Sequence, residues 1–145
     1  MDKLVELMKK LLADLSAYRI KTQYYHWNVE GPNFKEYHNF LNDIYEAAHS
    51  DVDDVAEHIR ALDAYAPGSL ARFQELTSIQ DETTVPAAIE MLSRTYADNQ
   101  KVLASAKAAC VVADELGQHG VLNFLEGLID SYEKQAWMLR VTIKR

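Results

Sequence analysis

The sequence predicts an all-α protein: a four-helix bundle whose second and third long helices are joined by a long crossover containing a short extra helix. Three observations predict it. Four segments place apolar residues at the three- and four-residue steps of an amphipathic helix. Only five Gly and three Pro interrupt the 145 residues. The breaks between segments run short, long, short. Apolar residues at 48% and charged residues at 26% give an ordinary globular composition, and the length suits a single domain spanning 1–145.

The first helix is read from Leu4, Met8, Leu11, Leu15 and Tyr18, with Asp2 as its expected N-cap. The second follows Gly31-Pro32-Asn33, where Asn33 and Glu36 make a capping-box pattern. Its stripe is Tyr37, Leu41, Ile44, Ala48, Val52, Val55, Ile59 and Leu62. The third stripe reads Val85, Ile89, Leu92, Tyr96, Leu103, Ala106, Cys110 and Ala113, with Thr84 as cap and Gly117 as stop. After Gly120, the fourth is Leu122, Leu125, Ile129, Tyr132, Ala136, Leu139 and Ile143. Tight breaks at Gly31-Pro32 and at Gly117 to Gly120 make two antiparallel hairpins. Between them lies Asp63 to Glu82, long enough that a structureless loop is unexpected. Pro67-Gly68-Ser69 before Leu70-Ala71-Arg72-Phe73 predicts a short helix there. Two hairpins joined by one long crossover is the ferritin-like arrangement.

A formal charge of −7 argues against a chain whose main work is gripping nucleic acid, because phosphate binding needs clustered Lys and Arg. No apolar run approaches the length of a membrane span. Met1-Asp2-Lys3-Leu4 lacks the order of a signal peptide, and the one cysteine, Cys110, excludes an internal disulfide. A cytoplasmic location is therefore expected.

No Gly-rich phosphate loop, His-Glu-x-x-His or paired cysteines are present. What remains is His26, His38, Asp53 and Glu57. On the second helix His38, Asn42, Asp53 and Glu57 share an arc of about 100°, centred roughly 130° from the apolar stripe. They point away from the chain's own core. Along the axis His38 lies about 22–28 Å from Asp53 and Glu57 at the rise of an α-helix. One metal ion cannot span that. If the four cooperate, two copies of the second helix must lie antiparallel, each histidine end facing the other's carboxylates, with two such sites per twofold pair. His26 would then sit level with His38 across the hairpin.

The run His26-Trp27-Asn28-Val29-x-Gly31-x-Asn33-Phe34, then His38, then Asp53-x-x-Ala56-Glu57, resembles the ferroxidase signature of the Dps family, the starvation DNA-protection miniferritins. Twelve residues separate the histidines, and fifteen separate His38 from Asp53. Ala66-Pro67-Gly68-Ser69 and Glu133-Lys134-x-x-Trp137-Met138-Leu139 also resemble that family, so the likeness covers essentially the whole chain. The resemblance implies a dodecameric hollow shell that oxidises ferrous iron, preferentially with hydrogen peroxide and otherwise with oxygen, and stores the ferric product. It implies His26 and His38 from one subunit and Asp53 and Glu57 from its partner as ligands, two irons per site, and Trp27 beside them. Imidazole and carboxylate suit iron. Two departures stand out: Asn42 occupies a position that is usually Asp, and Asn123 one that is often acidic in the threefold iron pore. Glu126 and Asp130 could serve that pore instead. Many members bind DNA through a lysine-rich N-terminal tail. Here the first helix is expected to begin at about Asp2 and the C-terminus offers Lys144-Arg145, so DNA binding is not expected.

The remaining candidates have ordinary readings. His49, His58 and His119 are expected on the surface, Trp137 in packing, and Cys110 among buried apolar residues. Glu46-x-x-His49 is one copy of a motif that in-bundle di-iron sites need twice. Without the histidines, Asp53 and Glu57 would be a solvated i, i+4 pair.

Overall fold

The computed structural model describes residues 1–144, so Arg145 of the C-terminal basic pair lies outside the described residues. Among these, five helices and no strand occur: α1 (Asp2–Asn28), α2 (Phe34–Ala61), α3 (Leu70–Leu76), α4 (Ala88–Glu115) and α5 (His119–Ile143). α1 packs along α2 on one side and α4 on the other, and α4 packs along α5. α2 and α5 touch only sparingly. The gap between them holds a cavity of about 320 Å³, lined by Phe40, Ile44, Asp51, Tyr132, Gln135 and Met138 among others. No helix of the described residues is long and apolar enough to cross a membrane.

The expected stripes build the core. Leu4, Met8, Leu11, Leu15 and Tyr18 of α1 are fully buried, as are Leu41, Ala48, Val55 and Ile59 of α2 and Leu125 and Leu139 of α5. The helix starts differ. Asp2 is the first helical residue and Met1 the N-cap. Asn33 is the N-cap residue of α2, but its backbone is not extended and its side chain makes no cap bond, so the capping box does not form. α4 begins at Ala88 rather than just after Thr84. Val85 precedes Pro86, whose ring disfavours helical geometry for the residue before it. Thr84 instead bonds the Glu82 carboxylate at 2.8 Å.

α4 also buries a more polar face than its apolar pattern suggests: Thr95, Asp98, Asn99 and Ser105 are all buried. Tyr96 and Cys110, expected on the seam, are only half-buried. The polar residues fasten the crossover to the bundle. Asp14 of α1, fully buried, accepts hydrogen bonds from the Thr77 hydroxyl at 2.8 Å, the Ser78 N–H at 2.7 Å and the Ser78 hydroxyl at 3.0 Å. Ser105 and Lys10 also donate to it. Lys21 pairs with Asp98 at 2.8 Å in a nearly enclosed site and donates to the Gln80 carbonyl.

Glu82, near the end of the crossover, sits under Arg94 and Tyr25. Burial alone would raise its pKa, but hydrogen bonds from Tyr25, Thr84 and Arg94 bring it down to about 2. A depressed carboxylate contributes stability that is complete above the unfolded value, about 4.3, and is lost as pH falls through the folded one. Wild type should therefore resist urea better than Glu82→Gln at neutral pH, with the difference shrinking as pH falls from roughly 4.3 towards 2. An unchanging difference over that range would contradict it.

Past the end of α2, Asp63 holds φ at +64° while its N–H closes the helix on the Arg60 carbonyl. Left-handed backbone disfavours a residue with a Cβ. Asp63→Gly should therefore stabilise the fold by about 0.5 kcal/mol, the relieved strain less the extra chain entropy of glycine. Urea unfolding midpoints would read the gain.

Candidate functional site

His26 stands in the last turn of α1 and His38 in the second turn of α2. The short Val29–Asn33 connection folds one helix back on the other and brings the two imidazoles face to face. Their rings stack with centroids 3.8 Å apart and planes 18° apart. Each braces the other's backbone. The His26 Nδ1–H donates to the His38 carbonyl at 2.7 Å, and the His38 Nδ1–H to the His26 carbonyl at 2.7 Å. The His26 carbonyl is one of the four that a helix C-terminus leaves without an intrahelical partner, so the ring of α2 completes the end of α1. A carbonyl can only accept, so both rings carry their proton on Nδ1. In the neutral ring this leaves the lone pair on Nε2, the form a metal ligand needs.

The carboxylates lie elsewhere. Asp53 and Glu57 are exposed, one turn apart on the second half of α2. Because α2 is unbroken from Phe34 to Ala61, the separation of about 22–28 Å from His38 along the axis holds. Glu57 is pushed above the usual carboxylate range by Asp53, which shares a hydrogen bond with it and repels its charge. A cation between them would relieve that repulsion. Among the described residues no three metal-ligating side chains of one chain converge. The structure brings His26 and His38 together and leaves Asp53 and Glu57 apart from them. The chain presents an imidazole pair and, far along the same helix, a carboxylate pair.

Trp27, beside the imidazoles in sequence, is 64% exposed, and Asn42, one turn past His38, is half-buried. Asn123, Glu126 and Asp130 line one exposed flank of α5. Glu46, His49 and His119 are exposed, and the His58 ring stacks on Phe124. Trp137 is a correction: it is 52% exposed rather than packed inside. It lies one residue off the buried seam of Tyr132, Ala136 and Leu139, and forms an apolar strip with Phe40, Met138 and Val141. Sequence reasoning gave no role to Phe34 and Tyr45, which flank the histidines. Their helical offsets from His38, four residues before and seven after, place them on its face and were the available signal.

The model of the ferritin-like domain family matches residues 5–145. The chain is similar to a low temperature-induced protein of Nostoc sp., 32% identical over 142 residues, with 97% of this chain and 79% of that one covered. It is also similar to the DNA protection during starvation protein of Brevibacillus brevis, 29% identical over 138 residues, covering 95% and 93% of the two chains. Among solved structures, the Dps protein of Vibrio cholerae O1, described as a member of a broad superfamily of ferritin-like diiron-carboxylate proteins, superposes with a TM-score of 0.95. That match has 26% identity and covers 99% of this chain and 90% of that one.

Proposed function

The chain belongs to the Dps family of ferritin-like proteins, and on that footing we propose that it is a ferroxidase that stores the ferric product inside a dodecameric shell of its own copies. The observation that carries this is the split site. A preformed, doubly braced imidazole pair sits at one end of α2, and an outward-facing carboxylate pair lies far along the same helix. Antiparallel apposition of two α2 helices closes both halves at once: His26 and His38 of one subunit meet Asp53 and Glu57 of the next, twice per twofold pair.

Ferrous iron is the substrate. The Nε2 lone pairs and the carboxylates bind two ions, with the carboxylate charge favouring the ferric product. Two ferrous ions give one electron each to hydrogen peroxide, which takes up two protons and leaves as two waters. Pairing the electrons releases no hydroxyl radical. The exposed Asn123, Glu126 and Asp130 flank is the proposed path for entering iron. Asn42 supplies a neutral amide oxygen where a carboxylate would add charge, so Asn42→Asp should raise the number of metal ions bound per subunit, as read by anaerobic titration.

The decisive experiment uses the sharing itself. His38→Ala and Asp53→Ala, each expressed alone, should both oxidise iron poorly. Co-expressed at equal levels they should recover about a quarter of wild-type activity, since half of random pairs are mixed and each mixed pair keeps one intact site. Mixed shells as inactive as either parent would show that the residues do not meet across subunits.

A further inference from the structure

The imidazole pair is the middle of a longer stack. Phe34 stacks on His38 with centroids 4.9 Å apart and planes 28° apart, and Tyr45 sits against His26 with centroids 5.2 Å apart and planes tilted by 52°. With the 3.8 Å contact between the imidazoles, four rings follow one another in a column: Phe34, His38, His26, Tyr45. Phe34 is 43% exposed at the first position of α2, so burial in the core does not explain where it sits. Its ring shields one face of His38 instead.

We propose that Phe34 and Tyr45 are positioning residues that hold both imidazoles in the Nδ1–H form and in fixed register. One hydrogen bond to a carbonyl leaves an imidazole free to rotate away about its χ2 angle when that bond opens. Rotation by half a turn exchanges Nδ1 with a carbon and moves Nε2 off its bearing. An aromatic ring stacked on His38 and another tilted against His26 resist that rotation, because the turning edge would have to push an aromatic neighbour aside. The inner faces resist it for one another. The column thus supplies before metal arrives the orientation that binding would otherwise have to impose. Its consequence for iron rests on the proposed function above, while the column itself does not.

The test separates the two. In metal-free, ¹⁵N-histidine-labelled protein, solid-state NMR should find His26 and His38 in the Nδ1–H tautomer in wild type and in Tyr45→Phe. Tyr45→Leu and Phe34→Leu should show a mixture with the Nε2–H form. Cobalt(II), standing in for ferrous iron, should bind Tyr45→Leu about tenfold more weakly than wild type, the lower range for losing an outer support of a metal ligand. Tyr45→Phe should bind it as wild type does. In iron oxidation the leucine variants should raise KM with little change in kcat. A pure Nδ1–H tautomer in both leucine variants would overturn the positioning role, and so would a Tyr45→Phe variant as impaired as Tyr45→Leu. Tautomer mixing in the variants with no cobalt uptake by wild type would leave the column standing and remove the iron site instead.

Discussion

His38→Ala is expected to slow peroxide-driven oxidation of ferrous iron by at least about a hundredfold, since even the outer supports of metal ligands are worth roughly 10–100-fold. The loss has two parts. The Nε2 donor disappears, and so does the ring against which His26 stacks at 3.8 Å. The fold should survive, because His38 is only half-buried and the core of α2 lies on the opposite face. Circular dichroism and particle size should match wild type while stopped-flow absorbance reports the slow oxidation. A variant that oxidises iron at the wild-type rate would leave the imidazole pair without a function.

Asp14→Ala should be the most damaging change to the fold away from the candidate site. Its carboxylate is fully enclosed and gathers donors from Lys10, Thr77, Ser78 and Ser105. Alanine removes the acceptor shared by all of these donors: the buried Ser105 hydroxyl loses it inside the bundle, and Thr77 and the exposed Ser78 lose their tether to α1. Losing hydrogen bonds to a buried charged acceptor costs about 1.5–3 kcal/mol, so a total of about 3 kcal/mol is expected for the network. That corresponds to a fall of roughly 10 °C in Tm for a domain of this size. The Thr77–Ser78 end of α3 should loosen first, with faster amide exchange there than in α5. A variant within about 0.5 kcal/mol of wild type would mean that the crossover is held by its apolar contacts alone.

Much of the architecture was legible because it is written in period. The stripes of α1, α2 and α5 differ from the observed core by only a few half-buried positions, and the short α3 announced itself through Pro67-Gly68-Ser69. Ser69 caps α3 by accepting the Arg72 N–H at 3.2 Å. What escaped was whatever depends on partners distant in sequence. Asp14 reads as one polar interruption between Ala13 and Leu15, and its donors lie as far off as Ser105. Asp98 and Asn99 look like surface residues until Lys21 and Gln135 are seen beside them. At the candidate site, the meeting of His26 with His38 was readable from a tight hairpin. Their reciprocal bracing was not, since it depends on carbonyl directions at the end of α1. Asp53 and Glu57 meet neither histidine within the chain, because α2 runs unbroken between them.

The oxygens that orient the two imidazoles belong to the main chain of residues 26 and 38 themselves. Truncating either side chain leaves its carbonyl in place, so the surviving ring keeps its anchor. The two imidazoles can therefore be deleted one at a time without each deletion silently disorienting the other through its hydrogen bond.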